Sequence, residues 1–368
     1  MKDERAHLQL FDLIARDWVL ASPATGVTFN AADTAVAFAC ADGSVHLAAT
    51  ADKDASNARV RLAVDTGRLT IAPRSKPVLP LKAADYAVGR TSAVVPHGET
   101  NFAFAKDNGR INTLTPGGIA VHLPAKASGP ITTVALSPDG SSLAYAVGDA
   151  LHVTPANANT PVMLTAPAPI SGIGFSPDGQ TLAVAHAQGV SCWAAHALDQ
   201  PARHIPVAGS PSEIIWHSSG GWIATTLGAG GFCIIETAVS AAVIFSNFPA
   251  PVRSIGFNSL TNSVVAAGAY RVTAWGLDDK APITSAKAGL VLITAIATCP
   301  TRNLVAVGYA NGLLSLAEIG RPSEILLREN TGAAITAMAW SNTGTFLALA
   351  GTDGSAALVE FPDSMFKS

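Results

Sequence analysis

Four-residue turn signatures recur along this chain at a nearly constant interval, and that recurrence restricts the fold more than any other property. Ser137-Pro138-Asp139-Gly140 and Ser176-Pro177-Asp178-Gly179 are the clearest copies; weaker ones start at His217, Asn258, Cys299 and Ser341. Successive starts lie 39, 41, 41, 41 and 42 residues apart. Pro96-His97-Gly98-Glu99 sits 41 residues before Ser137, and Asn30-Ala31-Ala32-Asp33 opens the first copy. Each turn is followed by a small-apolar run and then by a second short apolar run. A period of about 40–45 residues built from short strands is the mark of a β-propeller.

One copy shows the pattern. Ile131–Leu136 alternates and forms strand a; Ser-Pro-Asp-Gly then reverses the chain, with Pro fixing φ and Gly supplying a positive φ. Leu143–Val147 is strand b, Leu151–Val153 strand c and Val162–Leu164 strand d. Four short strands with turn residues between them make one antiparallel blade. Eight copies predict an all-β chain forming a single propeller of eight four-stranded blades, with seven as the fallback if the first two copies share one irregular blade. The last copy has no room for its own strand d. The segment Asp17–Ala24 resembles the strand-d segments elsewhere and is expected to supply it, closing the ring and covering a sheet edge. The domain plan is therefore an extension over 1–16, with 1–14 holding a short amphipathic helix on the rim, a propeller over 17–361, and a tail over 362–368.

Composition fits this architecture. Only 13% of residues are charged and the mean hydropathy is +0.33, as expected for stacked sheets buried on both faces. No apolar run approaches the ~18 residues of a membrane helix. The net charge of −3 disfavours general nucleic-acid binding. The N-terminus shows no signal-peptide core, so a cytoplasmic location is expected. Cys40, Cys192, Cys233 and Cys299 are widely separated and show no metal-ligand pairing. Cys192 and Cys233 occupy equivalent positions in neighbouring repeats, as small buried apolar residues would.

The SPDG turns, the period, and a Trp closing strand c at Trp193 and Trp275 resemble the WD-repeat propeller family, in a degenerate bacterial form, over about Trp18 to Phe361. Ala194 and Gly276 stand where the family has Asp, and no Gly-His dipeptide precedes the repeats. The family's Asp-His-Ser/Thr-Trp network is therefore not carried over. The resemblance implies a rigid scaffold that binds proteins or peptides, without catalysis and with no cofactor.

No motif specifies an enzyme. A phosphate loop, HExxH and GxSxG are all missing, and Gly228-Ala229-Gly230-Gly231 lies between strands, without the helix a phosphate cradle needs. The alternative to a scaffold is a lactonase-type propeller hydrolase with a divalent metal at the channel mouth. The b–c loops offer Asp42, Asp107, Asn108, Asp149, His186, Asn311 and Asp353 for that role. Tight hairpins demand the same residues before Gly, and that explains most of them.

Two features are left for partner binding. The first copy carries a surplus of about 26 residues, and the segment 51–90 holds eight Lys/Arg against four Asp/Glu while the other 328 residues sum to −7. Such an insertion suits docking of an acidic partner surface. The second is the mouth built from d–a and b–c loops. It is expected to present Arg90, Lys106, His186, Glu213, Arg253, Tyr270, Arg271 and Tyr309, residue types that turns do not require and of which Tyr and Arg are enriched at binding hot spots.

Overall fold

The computed structural model describes residues 8–62, 69–85, 93–155 and 160–366. Eight four-stranded antiparallel sheets follow one another around a ring, each in the order a-b-c-d from channel to rim. The inner strands are Ala24–Phe29, Val95–His97, Thr133–Leu136, Ile170–Phe175, Ile215–Trp216, Ile255–Asn258, Ile293–Thr298 and Ile335–Trp340, heading blades 1 to 8. Eight blades is the expected number.

The repeat is dictated by the a–b turn. In blades 1, 3, 4 and 8 the residue that opens the copy is buried and caps its own turn. Ser137 Oγ accepts the amide of Ser142 at 2.8 Å, and Ser176 Oγ that of Thr181 at 2.9 Å. Ser341 Oγ accepts from Phe346 at 3.0 Å, and Asn30 Oδ1 from Thr34 at 2.8 Å. Ser137 and Ser141 in turn hold the Asp139 carboxyl at about 2. Between blades, the middle strands b and c pack face to face; Phe38, Phe102, Phe104 and Phe232 are fully buried there. Cys192 and Cys233 are buried free thiols in one such layer, and burial pushes Cys233 up to about 12.

Ring closure is as expected in kind, but the strand starts two residues and ends five residues earlier than expected. The outer strand of blade 8 is Ala15–Val19, with Ala15 opposite Val359 and Val19 opposite Ser355. Ala24 already begins blade 1. The difference arises because Ser22 and Pro23 turn the chain from rim to channel. The preceding helix, Leu10–Ile14, is more than a rim ornament: Phe11 and Ile14 enter the core between blades 7 and 8. The guanidinium of Arg328 lies 5.1 Å from the Phe11 ring. On the turn face, Asp33 fastens blade 1 to blade 8 by accepting the amides of Asn342 at 2.9 Å and Thr343 at 2.8 Å.

The insertion lies inside blade 1, between strand c (Val45–Ala49) and the short strand d (Lys82–Ala83). It holds one helical turn, Ser56–Arg59, and a hairpin of Val60–Leu62 with Leu69–Ile71. It packs across the closure seam. Ser56 N donates to Glu360 at 2.8 Å, Arg59 Nη2 to the carbonyl of Leu13 at 2.7 Å, and Asp363 N to Asn57 at 2.8 Å. Beneath it, Asp52 accepts two bonds from Arg74, at 2.7 and 3.2 Å, and faces Arg16 at 3.6 Å.

Candidate functional site

The ends of the ring differ. One carries the capped a–b turns and the insertion; the other, the mouth, carries the d–a and b–c loops. Since the insertion leaves strand c at the turn face, it stands on the opposite side from the mouth. Two of its cations, Arg59 and Arg74, are turned inward to carbonyls and to Asp52. Lys53, Arg61, Lys76 and Lys82 remain exposed; Arg68 lies outside the described residues. The insertion packs across the closure seam, on the face opposite the mouth.

Three of the expected mouth residues share one register and are buried. Lys106, His186 and Tyr309 each occupy the last position of strand b or the residue after it, as Cys40 and Leu227 do in other blades. All five are below one-tenth exposed. His186 has both nitrogens engaged: Nε2 with Ser191 Oγ at 2.9 Å, and Nδ1 accepting the amide of Gln188 at 3.3 Å. Burial, and then the neighbouring His204, lower its pKa. Burial likewise raises the Tyr309 phenol, helped by Glu324. These side chains fill the blade interface and do not form part of an exposed mouth.

Four of the six Asp and Asn residues of the b–c turns are engaged in their own hairpins. Asp42, Asn108, Asn311 and Asp353 each accept the amide two residues on, at 2.9–3.2 Å. Among the described residues no group of three or more His, Cys, Asp or Glu is placed to hold a metal ion.

The inner strands carry a second register. Strand a of blades 1, 4, 7 and 8 has a bulge at Thr25, Ser171, Thr294 and Thr336. These hydroxyls staple neighbouring blades: Ser171 donates to the Pro211 carbonyl at 2.6 Å, Thr294 to Ile335 and Thr336 to Ala24, both at 2.8 Å. Thr132 and Ser212 hold the same position in blades 3 and 5. In blade 6 the position is Arg253. The next register is uncharged (Gly26, Thr133, Gly172, Ser254, Ala295, Ala337), and in blade 5 it is Glu213. Inner strands approach closely here: a Cβ built on Gly172 would lie 2.7 Å from the Glu213 Cα.

Glu213 lines a cavity of about 740 Å³ in the channel with Thr25, Thr28 and otherwise apolar residues. Burial raises its carboxyl above the ordinary range, opposed by a Thr226 hydroxyl. Arg253 lines an adjoining cavity of about 510 Å³ with Thr294 and Thr336, and Thr25 borders both. Outside the channel, the b–c loop of blade 6 presents Tyr270, 45% exposed, and an exposed Arg271. The d–a loop of blade 7 adds Lys287 and Leu290, the latter 98% exposed. The loops are tied together, Gly289 N donating to the Tyr270 carbonyl and Ile293 N to that of Ala269, both at 2.9 Å. Sequence inspection missed Leu290 because it reads as part of an apolar strand. Arg90 lies outside the described residues.

The family model for the WD40 domain of anaphase-promoting complex subunit 4 matches residues 296–365, which span most of blades 7 and 8. The chain is an eight-bladed β-propeller whose blades 7 and 8 are similar to a WD40 domain. Among many solved chains of similar fold is one described as the structure of U3-55K. It is 15% identical with a TM-score of 0.53, covering 95% of this chain and 98% of that one. No curated protein matches the sequence. Trp193 and Trp275 stand on strand c, as in the WD-repeat pattern, while Ala194 and Gly276 follow them. Inner-strand hydroxyls and turn caps bond these blades in addition to the apolar packing between them. No helix among the described residues is long and apolar enough to cross a membrane.

Proposed function

We propose that this propeller is a non-catalytic scaffold that docks a protein partner on its mouth face over blades 6 and 7. The observation that carries this is the exposed set of Tyr270, Arg271, Lys287 and Leu290 on loops held rigid by backbone bonds. Arg271 Nη2 donates to the Ala286 carbonyl at 3.3 Å; Tyr270, Lys287 and Leu290 are not required by a turn. The four mouth loops of blades 6 and 7 contain Arg253, Arg271 and Lys287 and no Asp or Glu. An acidic partner segment with an apolar anchor for Leu290 and Tyr270 has the complementary chemistry.

The test is affinity purification of the full chain at native expression, wild type against Tyr270→Ala/Arg271→Ala/Leu290→Ala, with partners quantified by mass spectrometry. Each anchor is expected to cost about 1–2 kcal/mol, so the triple variant loses the stoichiometric partner. A second variant reversing Lys53, Arg61, Lys76 and Lys82 to Glu keeps it. Retention by the folded triple variant removes the mouth face.

A further inference from the structure

Two positions break the neutral inner-strand repeat, and they break it with opposite charges on neighbouring blades. Arg253 replaces a stapling hydroxyl, and Glu213 replaces an uncharged residue one register further along. Glu213 keeps a hydrogen bond from the Thr226 hydroxyl but has no ion pair among the described residues. Ser254 takes over the staple in blade 6, donating to the Ile296 carbonyl at 3.0 Å, so Arg253 is not needed for it. The two are not paired with each other or with another charge: the three ion pairs among the described residues involve neither. Each instead lines a channel cavity whose other walls are hydroxyls and apolar groups, and Thr25 borders both cavities.

An uncompensated carboxylate in a half-enclosed site favours a cation, and an exposed guanidinium at its rim disfavours a simple one. The ligand that satisfies both carries an ammonium and a carboxylate on one short skeleton, with an apolar body for the walls. We propose that the channel binds a small zwitterion of the amino-acid class, its ammonium toward Glu213 and its carboxylate toward Arg253. The site goes beyond the docking surface: its ligand is a small molecule, and Tyr270, Arg271 and Leu290 take no part in it.

The probes are glycine, β-alanine, 4-aminobutyrate and 6-aminohexanoate, whose charges are progressively further apart, with butylamine and butyrate as single-charge controls. Calorimetric titration of the full chain is expected to show one member of the series binding at least about tenfold more tightly than either control. Glu213→Gln reduces that member to the level of butyrate, and Arg253→Gln to the level of butylamine. Both substitutions are near-isosteric, and circular dichroism checks the fold. If one variant fails to fold, the other and the wild-type comparison with the controls still decide. The proposal is overturned if no zwitterion of the series binds, if butylamine or butyrate binds as tightly as the best of them, or if binding survives both substitutions unchanged.

Discussion

Single side chains at repeat-defining positions carry much of the stability. Ser137→Ala leaves the Ser142 amide without its acceptor in a part-buried turn, at a cost of about 1–2 kcal/mol, measurable by urea denaturation. Histidines set the response to acid. Burial lowers the pKa of His46, His97, His152, His186 and His217. The folded protein keeps them neutral while the unfolded chain takes up protons near pH ~6.5. Their contribution is thus complete above that value and is lost as pH falls through it. The melting temperature should be flat from about pH 7 to 8 and decline toward pH 5. His186→Gln, which keeps a donor for Ser191, should flatten part of that decline; an unchanged profile would contradict the buried, neutral His186. At this scale the sequence was readable wherever a residue type was tied to backbone geometry, as at Pro138, Asp139 and Gly140. It misled where an identical-looking loop residue was the last position of a strand. Comparing His186 and Tyr309 with Cys40 and Leu227 across the repeats would have exposed that register as apolar and buried.

At the scale of elements, closure rests on one strand, one helix and one insertion. Truncation through Val19 removes the whole outer strand of blade 8 and bares a sheet edge, a template for aggregation; static light scattering should detect it at once. Removal of residues 1–9 should be tolerated. Removal of 1–14 takes Phe11 and Ile14 out of the core and should lower the melting temperature clearly, though less than the longer deletion. Equal behaviour of all three would contradict the assigned strand. In the insertion, Arg74→Ala breaks a two-bond charge-assisted pair to Asp52 and should cost roughly 2 kcal/mol, seen as earlier urea unfolding. The insertion's existence and blade were legible from spacing and charge. Its role was not, because a sum of charges does not tell which arginines turn inward to carbonyls.

The whole molecule is a ring whose faces have diverged. Period and turn chemistry sufficed for blade number and topology, because each repeat must bury its faces against the next. The site was legible only in part. Glu213 and Arg253 stand out once the inner strands are aligned on their observed bulges, and Leu290 emerges only with the loop's exposure. The central claim is that the mouth over blades 6 and 7 is where a partner seats. Hydrogen–deuterium exchange of the full chain, alone and with its copurified partner, tests it most directly. Protection is predicted in 250–253, 268–272 and 285–292, with the turns at 138–140, 177–179 and 342–344 and the insertion unchanged. Protection confined to those turns or to the insertion, or none on either face, would contradict it.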